Sequence, residues 1–149
     1  MHHRSIVALS AVLGTVAAAS AGGLPDLAVT AVDTSDLMPD CAALVATGDV
    51  TVTVENRGNE AAGPVIDILL FEDAADNPAN TPARYDAGID RVYGVIDAGS
   101  LSEDGAVDVT FSLTAAPIRF CGNVIYAVAD PDGLVDESTI LNNTLGSND

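Results

Sequence analysis

The sequence predicts an all-β protein, a seven-stranded immunoglobulin-like antiparallel β-sandwich. Two observations support this prediction: seven short segments with strand character recur at roughly regular spacing, and no segment shows a helical period. The clearest strand is Asp49–Asn56, in which Val50, Val52 and Val54 alternate with polar residues. This period of two places the valines on one face of a sheet and the polar side chains on the other.

The first 21 residues are predicted to be a secretory signal peptide. Arg4 precedes an apolar run, Ser5–Ala19, and the triplet Ala19-Ser20-Ala21 has the small residues of a cleavage site. The run is shorter than the roughly 20 residues that cross a bilayer, which favours a signal peptide over a membrane anchor. We therefore expect a secreted mature chain of residues 22–149 that forms one domain, does not insert into a membrane, and acts outside the cell or at its surface.

The composition restricts the classes of partner and reaction. Without Arg4, four arginines and no lysine stand against 22 acidic residues, which gives a net charge of −18. This excess argues against nucleic acid and anionic membranes as partners, and it favours solubility, divalent cations or a high-salt habitat. Both histidines lie in the expected signal peptide, so only carboxylates remain as catalytic bases, and tryptophan is absent. The sequence therefore predicts a protein that is not an enzyme.

The predicted strands differ in how completely they are buried. The first has Leu27 and Val29 facing inward and is followed by a loop at Thr34–Thr47. The third, Val65–Phe71, is apolar at nearly every position, which is typical of a central strand or of a strand with a loop packed on its outer face. The seven expected strands are Asp26–Asp33, Asp49–Asn56, Val65–Phe71, Arg91–Ile96, Ala106–Thr114, Asn123–Asp130 and Val135–Asn142.

The fifth predicted strand alternates as regularly as the second. Its apolar residues Val107, Val109 and Phe111 are spaced two apart, so they share one face. We expect them to meet the valines of the second strand in the core.

Two cysteines, Cys41 and Cys121, form an even pair in a chain that is expected to be exported, which predicts one disulfide bond. Cys41 precedes the second predicted strand and Cys121 precedes the sixth, so the bond would cross-link the chain at one end of the sandwich. The chain-entropy estimate for closing a loop of this length is about 4.5 kcal/mol. Two buried free thiols are the alternative.

The segment Glu72–Asp90 is the longest irregular stretch and offers a candidate calcium site. Ca²⁺ takes six to eight oxygen ligands, commonly from closely spaced Asp and Asn in a flexible loop. No EF-hand spacing is present, and Pro78 and Pro82 interrupt the segment, so a solvated acidic loop is the alternative. The candidate ligands are Asp73, Asp76, Asn77, Asp86 and Asp90. No other cofactor is expected.

Three stretches in a fixed order carry a resemblance to a known family. They are Pro25–Val29, then Val50–Gly58 ending in Glu-Asn-Arg-Gly, then Ala129–Asn143, which contains Val-Asp-Glu-Ser and ends in Asn-Asn. Together they resemble a single copy of the CARDB module, the cell-adhesion-related domain found in bacteria and archaea. The resemblance covers almost the whole expected mature chain, and it implies a seven-stranded sandwich on exported, surface-associated proteins.

The asparagines and the glycine of this resemblance have a structural interpretation. Asn56 and Gly58 suit the turn after the second strand, because both residue types tolerate turn conformations. Asn142 and Asn143 lie at the end of the last predicted strand, where side-chain amides can bond to free backbone groups. We interpret all four as structural turn residues rather than ligand-binding residues.

Two functions are compatible with these observations. The first is a secreted, non-catalytic, surface-associated binding or adhesion module that binds a protein or glycan through loops at one end of the sandwich. The alternative is a structural subunit of an extracellular filament or surface layer. Such a subunit would self-associate by strand addition at an exposed edge, with Ca²⁺ as an optional requirement.

Overall fold

The computed structural model describes residues 23–74, 85–119, 121–122 and 124–147. These residues form two antiparallel sheets of four strands each. The first sheet contains β1 (Leu27–Asp33), β2 (Met38–Asp40), β3 (Val45–Asn56) and β6 (Ala106–Pro117). The second sheet has the order β5 (Arg91–Asp97), β4 (Asp67–Glu72), β7 (Ile125–Ala129) and β8 (Thr144–Gly146). The predicted all-β sandwich is confirmed.

β3 is the central strand of the first sheet. It pairs with β1 and β2 along one edge and with β6 along the other. Its three valines have no exposed surface, as their alternation predicts. They lie opposite three apolar residues of β6: Val50 opposite Phe111, Val52 opposite Val109 and Val54 opposite Val107. The clearest strand of the sequence is therefore the centre of the hydrophobic core.

β4 is covered on both faces. Ile68 and Leu70 pack in the core between the sheets, whereas Leu69 and Phe71 belong to a second apolar cluster on the outer face. Tyr85 covers that outer face, with its ring centroid 5.4 Å from that of Phe71. The continuous apolar sequence of this strand therefore has two causes, a central position in the sheet and a loop residue packed on its outer side.

The predicted count of seven strands is wrong, because the described residues contain eight. The first difference is β2, which lies in the segment predicted to be a loop and pairs with residues 45–47 of β3. All three side chains of β2 are exposed, so no alternation of apolar and polar residues marks this strand in the sequence.

β3 also begins earlier than predicted, because Gly48 carries it through an irregularity. Gly48 has a φ of 128°, and the register of β3 against β6 shifts at this point. A Cβ atom there would lie 2.1 Å from the carbonyl oxygen of Asp36, so the close approach of the β1–β2 connection requires glycine.

The last strand is also misplaced by the sequence, which predicts Val135–Asn142, whereas the structure forms β8 further along. The carbonyl oxygen of Asn142 accepts a hydrogen bond from the backbone N–H of Val29 in β1, at 3.0 Å. The next carbonyl, that of Asn143, accepts from the N–H of Ala129 in β7, at 2.9 Å. Because consecutive residues bond to different sheets, this part of the chain cannot form a ladder with either sheet. We call residues 130–143, which connect β7 to β8 and bridge the two sheets, the bridging segment.

The two sides of the sandwich are closed differently. On the β1 side, the bridging segment contacts the sheet edge, and the N–H of Ser138 also donates to the carbonyl oxygen of Pro25 at 3.0 Å. On the other side, β6 pairs with β3 along one edge only, and no strand in the described part of the chain pairs with its other edge. Within the described residues, the 12-residue strand β6 therefore has one edge without a paired strand, which we call its free edge.

The disulfide expected from the two cysteines is present. Cys41 in the turn after β2 is joined to Cys121 in the turn after β6, with 5.4 Å between their Cα atoms. Beside it, the N–H of Ile118 donates to the carbonyl oxygen of Leu44 at 2.9 Å. We call this the disulfide end of the sandwich, and we call the end that contains Asn56 the opposite end. No helix within the described ranges has the length and apolar character needed to cross a membrane.

Candidate functional site

Asn56 organises the opposite end of the sandwich. Its side chain is buried, with 1% of its surface exposed. Its Oδ1 accepts hydrogen bonds from the N–H of Asp26 at 3.0 Å and of Gly58 at 3.1 Å. Its Nδ2 donates to the carbonyl oxygens of Glu60 at 2.7 Å and Ser102 at 3.1 Å. One carboxamide thus joins the chain before β1, the turn after β3 and the turn before β6, and it satisfies backbone groups that burial would otherwise leave unpaired.

Gly58 allows two of these segments to approach each other. A Cβ atom at this position would lie 2.3 Å from the carbonyl oxygen of Leu24 and 2.6 Å from the backbone nitrogen of Asp26. Both contacts are with backbone atoms, which cannot move aside as a flexible side chain would. The turn therefore requires glycine because of this close approach.

Asn142 and Asn143 fasten the bridging segment with their side chains as well. The Nδ2 of Asn142 donates to Oδ1 of Asp26 at 2.9 Å, and the Nδ2 of Asn143 donates to Oε1 of Glu137 at 2.7 Å. The other carboxylate oxygen of Glu137 accepts from the N–H of Leu27 at 2.6 Å. These bonds fix the bridging segment against the beginning of β1.

Glu137 is electrostatically unusual. Burial raises the pKa of its carboxyl group, and the nearby carboxylates of Asp130 and Asp26 raise it further. The hydrogen bonds from Leu27 and Asn143 lower the pKa but do not cancel the effect of burial. The ionised form of Glu137 is therefore poorly stabilised by its surroundings.

Asp130 starts the bridging segment with a turn that its carboxylate holds closed. Oδ1 accepts from the N–H of Leu134 at 2.9 Å and Oδ2 accepts from that of Val135 at 2.8 Å. The backbone of Asp130 has a φ of 49°, a left-handed conformation that aspartate tolerates better than most residues, and its N–H donates to the carbonyl oxygen of Asp67 at 2.8 Å. The turn is thereby anchored to the first residue of β4.

A groove of about 540 Å³ lies between Tyr85 and the bridging segment, beside the end of β7. We call it the acidic groove. Its walls combine apolar and polar side chains, principally Tyr85, Ile140, Leu141, Asp130, Glu137 and Asn143. Ile140 is 72% exposed and Leu141 is 76% exposed, so two large apolar side chains that are adjacent in the sequence face solvent beside this groove.

A second groove of about 420 Å³ lies on the other side of the same segment. Its apolar wall contains Leu24, Val65 and Leu134, all of them exposed, and Leu134 is 77% exposed. Leu134, Ile140 and Leu141 are the most exposed of the large apolar side chains in the described ranges. The opposite end therefore presents an apolar surface on a segment that hydrogen bonds hold in place.

The candidate calcium ligands are only partly described. Asp73, Asp86 and Asp90 lie within the described residues, whereas Asp76 and Asn77 lie outside them. The carboxylate of Asp90 accepts from the N–H of Ala74 at 2.9 Å and of Asp86 at 2.6 Å. Asp90 therefore holds the backbone at residues 74 and 86 close together by accepting a hydrogen bond from each. Among the residues that the structure describes, no group of three or more His, Cys, Asp or Glu could hold a metal ion.

A buried carboxylate at the disulfide end has no counterpart in the sequence predictions. Glu72 is 1% exposed, and its carboxylate accepts from the N–H of Arg119 at 2.9 Å and from the hydroxyl of Tyr93 at 3.0 Å. Burial, followed by the charge of Glu72, raises the pKa of Tyr93. The Arg119 guanidinium in turn donates to the carbonyl oxygen of Ile89. Sequence reasoning missed this network because one more acidic residue in an acidic chain carries no local signal.

The architecture described above is that of an immunoglobulin-like sandwich domain. The CARDB family model matches residues 24–147, so the chain belongs to the CARDB family, as the sequence resemblance predicts. No curated protein matches the chain.

Solved structures share the fold, and three of them are compared with this chain. The crystal structure of the CARDB domain of a Pyrococcus furiosus protein, in complex with di-metal ions, has a TM-score of 0.57 and 19% identity over 83% of this chain and 89% of that one. A solution structure of the same Pyrococcus domain has a TM-score of 0.55 and 21% identity, and covers 83% and 91% of the two chains. A domain of a candidate cell surface protein from Methanosarcina acetivorans has a TM-score of 0.57 and 23% identity, and covers 83% and 88%.

Proposed function

We propose that the protein is an exported, non-catalytic, surface-associated binding domain. One observation carries the proposal: the three most exposed large apolar residues of the described ranges, Leu134, Ile140 and Leu141, lie on one segment between two grooves. Exposed apolar patches on soluble proteins mark interaction surfaces. The binding surface is therefore the bridging segment at the opposite end, and the expected partner is a protein or glycan at a cell surface.

The fixed backbone of the segment favours binding. The side chains of Asp130, Glu137, Asn142 and Asn143 all hold it by hydrogen bonds before a partner arrives. A surface that is already ordered loses less conformational entropy on association than a flexible loop does. The apolar side chains are thus presented on a rigid support.

Membership of the CARDB family and the shared fold support surface association and a non-catalytic role. The similar Methanosarcina domain comes from a candidate cell surface protein. The carboxylates of Asp130 and Glu137 at the proposed surface accept hydrogen bonds from backbone N–H groups and so hold the bridging segment in place.

Fractionation of the producing cells tests the proposal. The double variant Ile140→Ser, Leu141→Ser removes two of the three exposed apolar side chains, and we expect it to be released into the medium while the wild-type protein stays with the cells. Met38→Ser is the matched control, because Met38 is also 70% exposed but lies at the disulfide end. Equal retention of the wild-type protein and the folded double variant would refute the proposal.

A second candidate function, a structural subunit assembling by strand addition, is favoured by the free edge of β6. Asp108 is the single charged residue of this strand, so like-charge repulsion there is small. Size-exclusion chromatography and electron microscopy, with and without Ca²⁺ and high salt, test for filaments. Ser112→Lys, a charge on the exposed side of the strand, should prevent them. A monomer under every condition would exclude this function.

A further inference from the structure

We propose that the acidic groove receives a lysine or arginine side chain from a basic partner protein. This inference rests on the proposed function and names the partner chemistry that the binding surface recognises. The groove, about 540 Å³ in volume, is within the range of roughly 300 to 1,000 Å³ found for small-molecule sites, so it has room for one long side chain. The occupant is a cationic group on an apolar stem.

Hydrogen-bond acceptors in the groove wall favour a cationic donor. Each carboxylate oxygen of Asp130 and Glu137 accepts one hydrogen bond from the protein. An ionised carboxylate has about four acceptor positions, so both side chains retain capacity for a further donor. Ammonium and guanidinium groups consist only of donors, and charge-assisted bonds to carboxylates are the stronger kind.

Asn143 supplies an independent observation. It is 5% exposed and lines the groove, and its Nδ2 is fixed by acceptors on Glu137 and Ala129. Its Oδ1 has no hydrogen-bond partner among the described residues. A buried acceptor without a partner is costly, and it points to a donor that the described part of the chain does not provide.

The apolar wall of the groove suits the stem of such a side chain. Tyr85, Ile140 and Leu141 offer apolar surface beside the carboxylates. Lysine and arginine bury their methylene stems along apolar surface, and their charged groups are attracted to the faces of aromatic rings. The exposed side chains of Ile140 and Leu141 therefore suit the apolar stem of a lysine or arginine, and the two neighbouring carboxylates suit its charged group.

The negative net charge of the chain favours a positively charged partner. With a net charge of −17 and no lysine, a second copy of this chain is a poor source of the cation. A basic partner surface is drawn to the acidic domain at long range, whereas an anionic ligand is repelled. A metal ion is the weaker alternative, since no group of three acidic, histidine or cysteine ligands exists among the described residues.

The environment of Glu137 agrees with this assignment. Burial and the neighbouring carboxylates raise the pKa of Glu137, so its ionised form is poorly stabilised without a partner. A cation in the groove would supply the missing stabilisation.

Peptide titration followed by NMR tests the inference on the secreted chain. The probe is the tripeptide Leu-Lys-Leu, blocked at both ends, and the matched neutral probe has norleucine in place of lysine. We expect saturable shifts of the Ile140 and Leu141 methyl signals with the lysine peptide. The norleucine peptide should bind about fivefold more weakly, the size expected for a partly exposed charge pair. High salt should reduce this difference.

Variants locate the site. Glu137→Gln should weaken binding of the lysine peptide by about fivefold. Glu103→Gln removes the same charge from an exposed turn before β6 and should leave binding unchanged. Because Glu137 also supports the fold, Ile140→Ser provides a second test at a 72% exposed position where unfolding is not expected. Wild-type binding by both folded variants would overturn the inference.

Three further results would also overturn it: equal binding of the two peptides, displacement of the lysine peptide by Ca²⁺, or binding of free hexylammonium without binding of the peptide. The last would indicate a small amine rather than a protein side chain. If the lysine peptide does not bind but the double variant Ile140→Ser, Leu141→Ser still loses its association with cells, only the proposed ligand class is refuted. Peptide binding without cell association would refute only the proposed function.

Discussion

At the scale of single residues, a few polar side chains hold long stretches of backbone. Asn56 bonds to segments that are 30 and 46 residues away in the sequence, through one carboxamide. Each hydrogen bond contributes only about 1 kcal/mol net, but loss of the shared side chain leaves several buried backbone groups unpaired at once. Such a residue stabilises the protein more than its size suggests.

Asn56→Ala should therefore be strongly destabilising. We expect a loss of roughly 3 kcal/mol or more in the free energy of unfolding, because the N–H groups of Asp26 and Gly58 lose their acceptor. Denaturant unfolding measures this change. Asn59→Ala, three residues further on at an exposed position, is the control and should have little effect. Equal stability of the two variants would contradict the role assigned to Asn56.

Gly58→Ala should be destabilising for a steric reason. The added methyl group would meet the backbone of Leu24 and Asp26, and relief of that overlap should cost about 1 to 3 kcal/mol. Gly63→Ala is the matched control, because a Cβ atom there has its nearest contact at 3.9 Å, with Val65. Thermal unfolding should show a lowered Tm for Gly58→Ala alone. A similar Tm for both variants would count against the close approach.

Glu137 should make stability depend on pH in a defined direction. Its folded-state pKa is raised above the ordinary value of 4.5, so the protonated form is favoured by folding. This contribution is fully present below pH 4.5 and is lost as pH rises through the raised pKa. The Tm of the wild-type protein minus that of Glu137→Gln should therefore be largest at acid pH and should shrink towards neutral pH.

The subtraction removes the general effect of pH on so acidic a chain, since the variant keeps every other carboxylate, including Asp26 and Asp130. A difference in Tm that stays constant from below pH 4.5 to neutrality would contradict the raised pKa.

At the scale of elements, the structure shows which features local sequence can predict. β3 and β6 were predictable because one face of each is buried, which imposes alternation. β2 was not predictable, because all its side chains are exposed and no alternation of apolar and polar residues marks it. The bridging segment has the apolar residues of a strand, yet its backbone bonds to both sheets, and only the distant partners Val29 and Ala129 determine that outcome.

The same reasoning applies to the candidate site. Turn chemistry predicts Asn56 and Gly58 to be structural residues, but their roles in the structure depend on distant contacts, with Asp26 and Ser102 for Asn56 and with the backbone of Leu24 for Gly58. The joint roles of Asp130, Glu137 and Asn143 depend on contacts with β1 and β7, which the sequence does not reveal. The acidic groove was therefore not predictable, although its residues lie in a short stretch of the chain.

The calcium hypothesis concerns the segment after β4, and it can be tested by adding Ca²⁺ to the wild-type protein and to a variant. If the loop binds Ca²⁺ through Asp73, Asp86 and Asp90 together with Asp76 and Asn77, then Ca²⁺ should raise the Tm, and Asp86→Asn should reduce that rise. Asp49→Asn, an exposed carboxylate on β3, is the control and should respond as the wild-type protein does. Calorimetric titration that shows neither heat nor a stability change would remove the hypothesis.

At the scale of the whole molecule, the two ends of the sandwich are held by different means. The Cys41–Cys121 disulfide closes one end covalently, and the side chains of Asn56, Asn142 and Asn143 hold the other by hydrogen bonds. The binding surface that we propose lies at the hydrogen-bonded end. Export to an oxidising compartment is therefore expected to matter for stability and not for recognition.

The double variant Cys41→Ser, Cys121→Ser tests this separation. Loss of a cross-link spanning 80 residues should lower the free energy of unfolding by up to about 4.5 kcal/mol, because the unfolded chain gains freedom. At temperatures where the variant remains folded, its affinity for the lysine peptide should equal that of the wild-type protein, since Asp130, Glu137 and Asn143 lie at the other end. A parallel loss of stability and affinity would show that the two ends are coupled through the core, in which case the disulfide would also shape the binding surface.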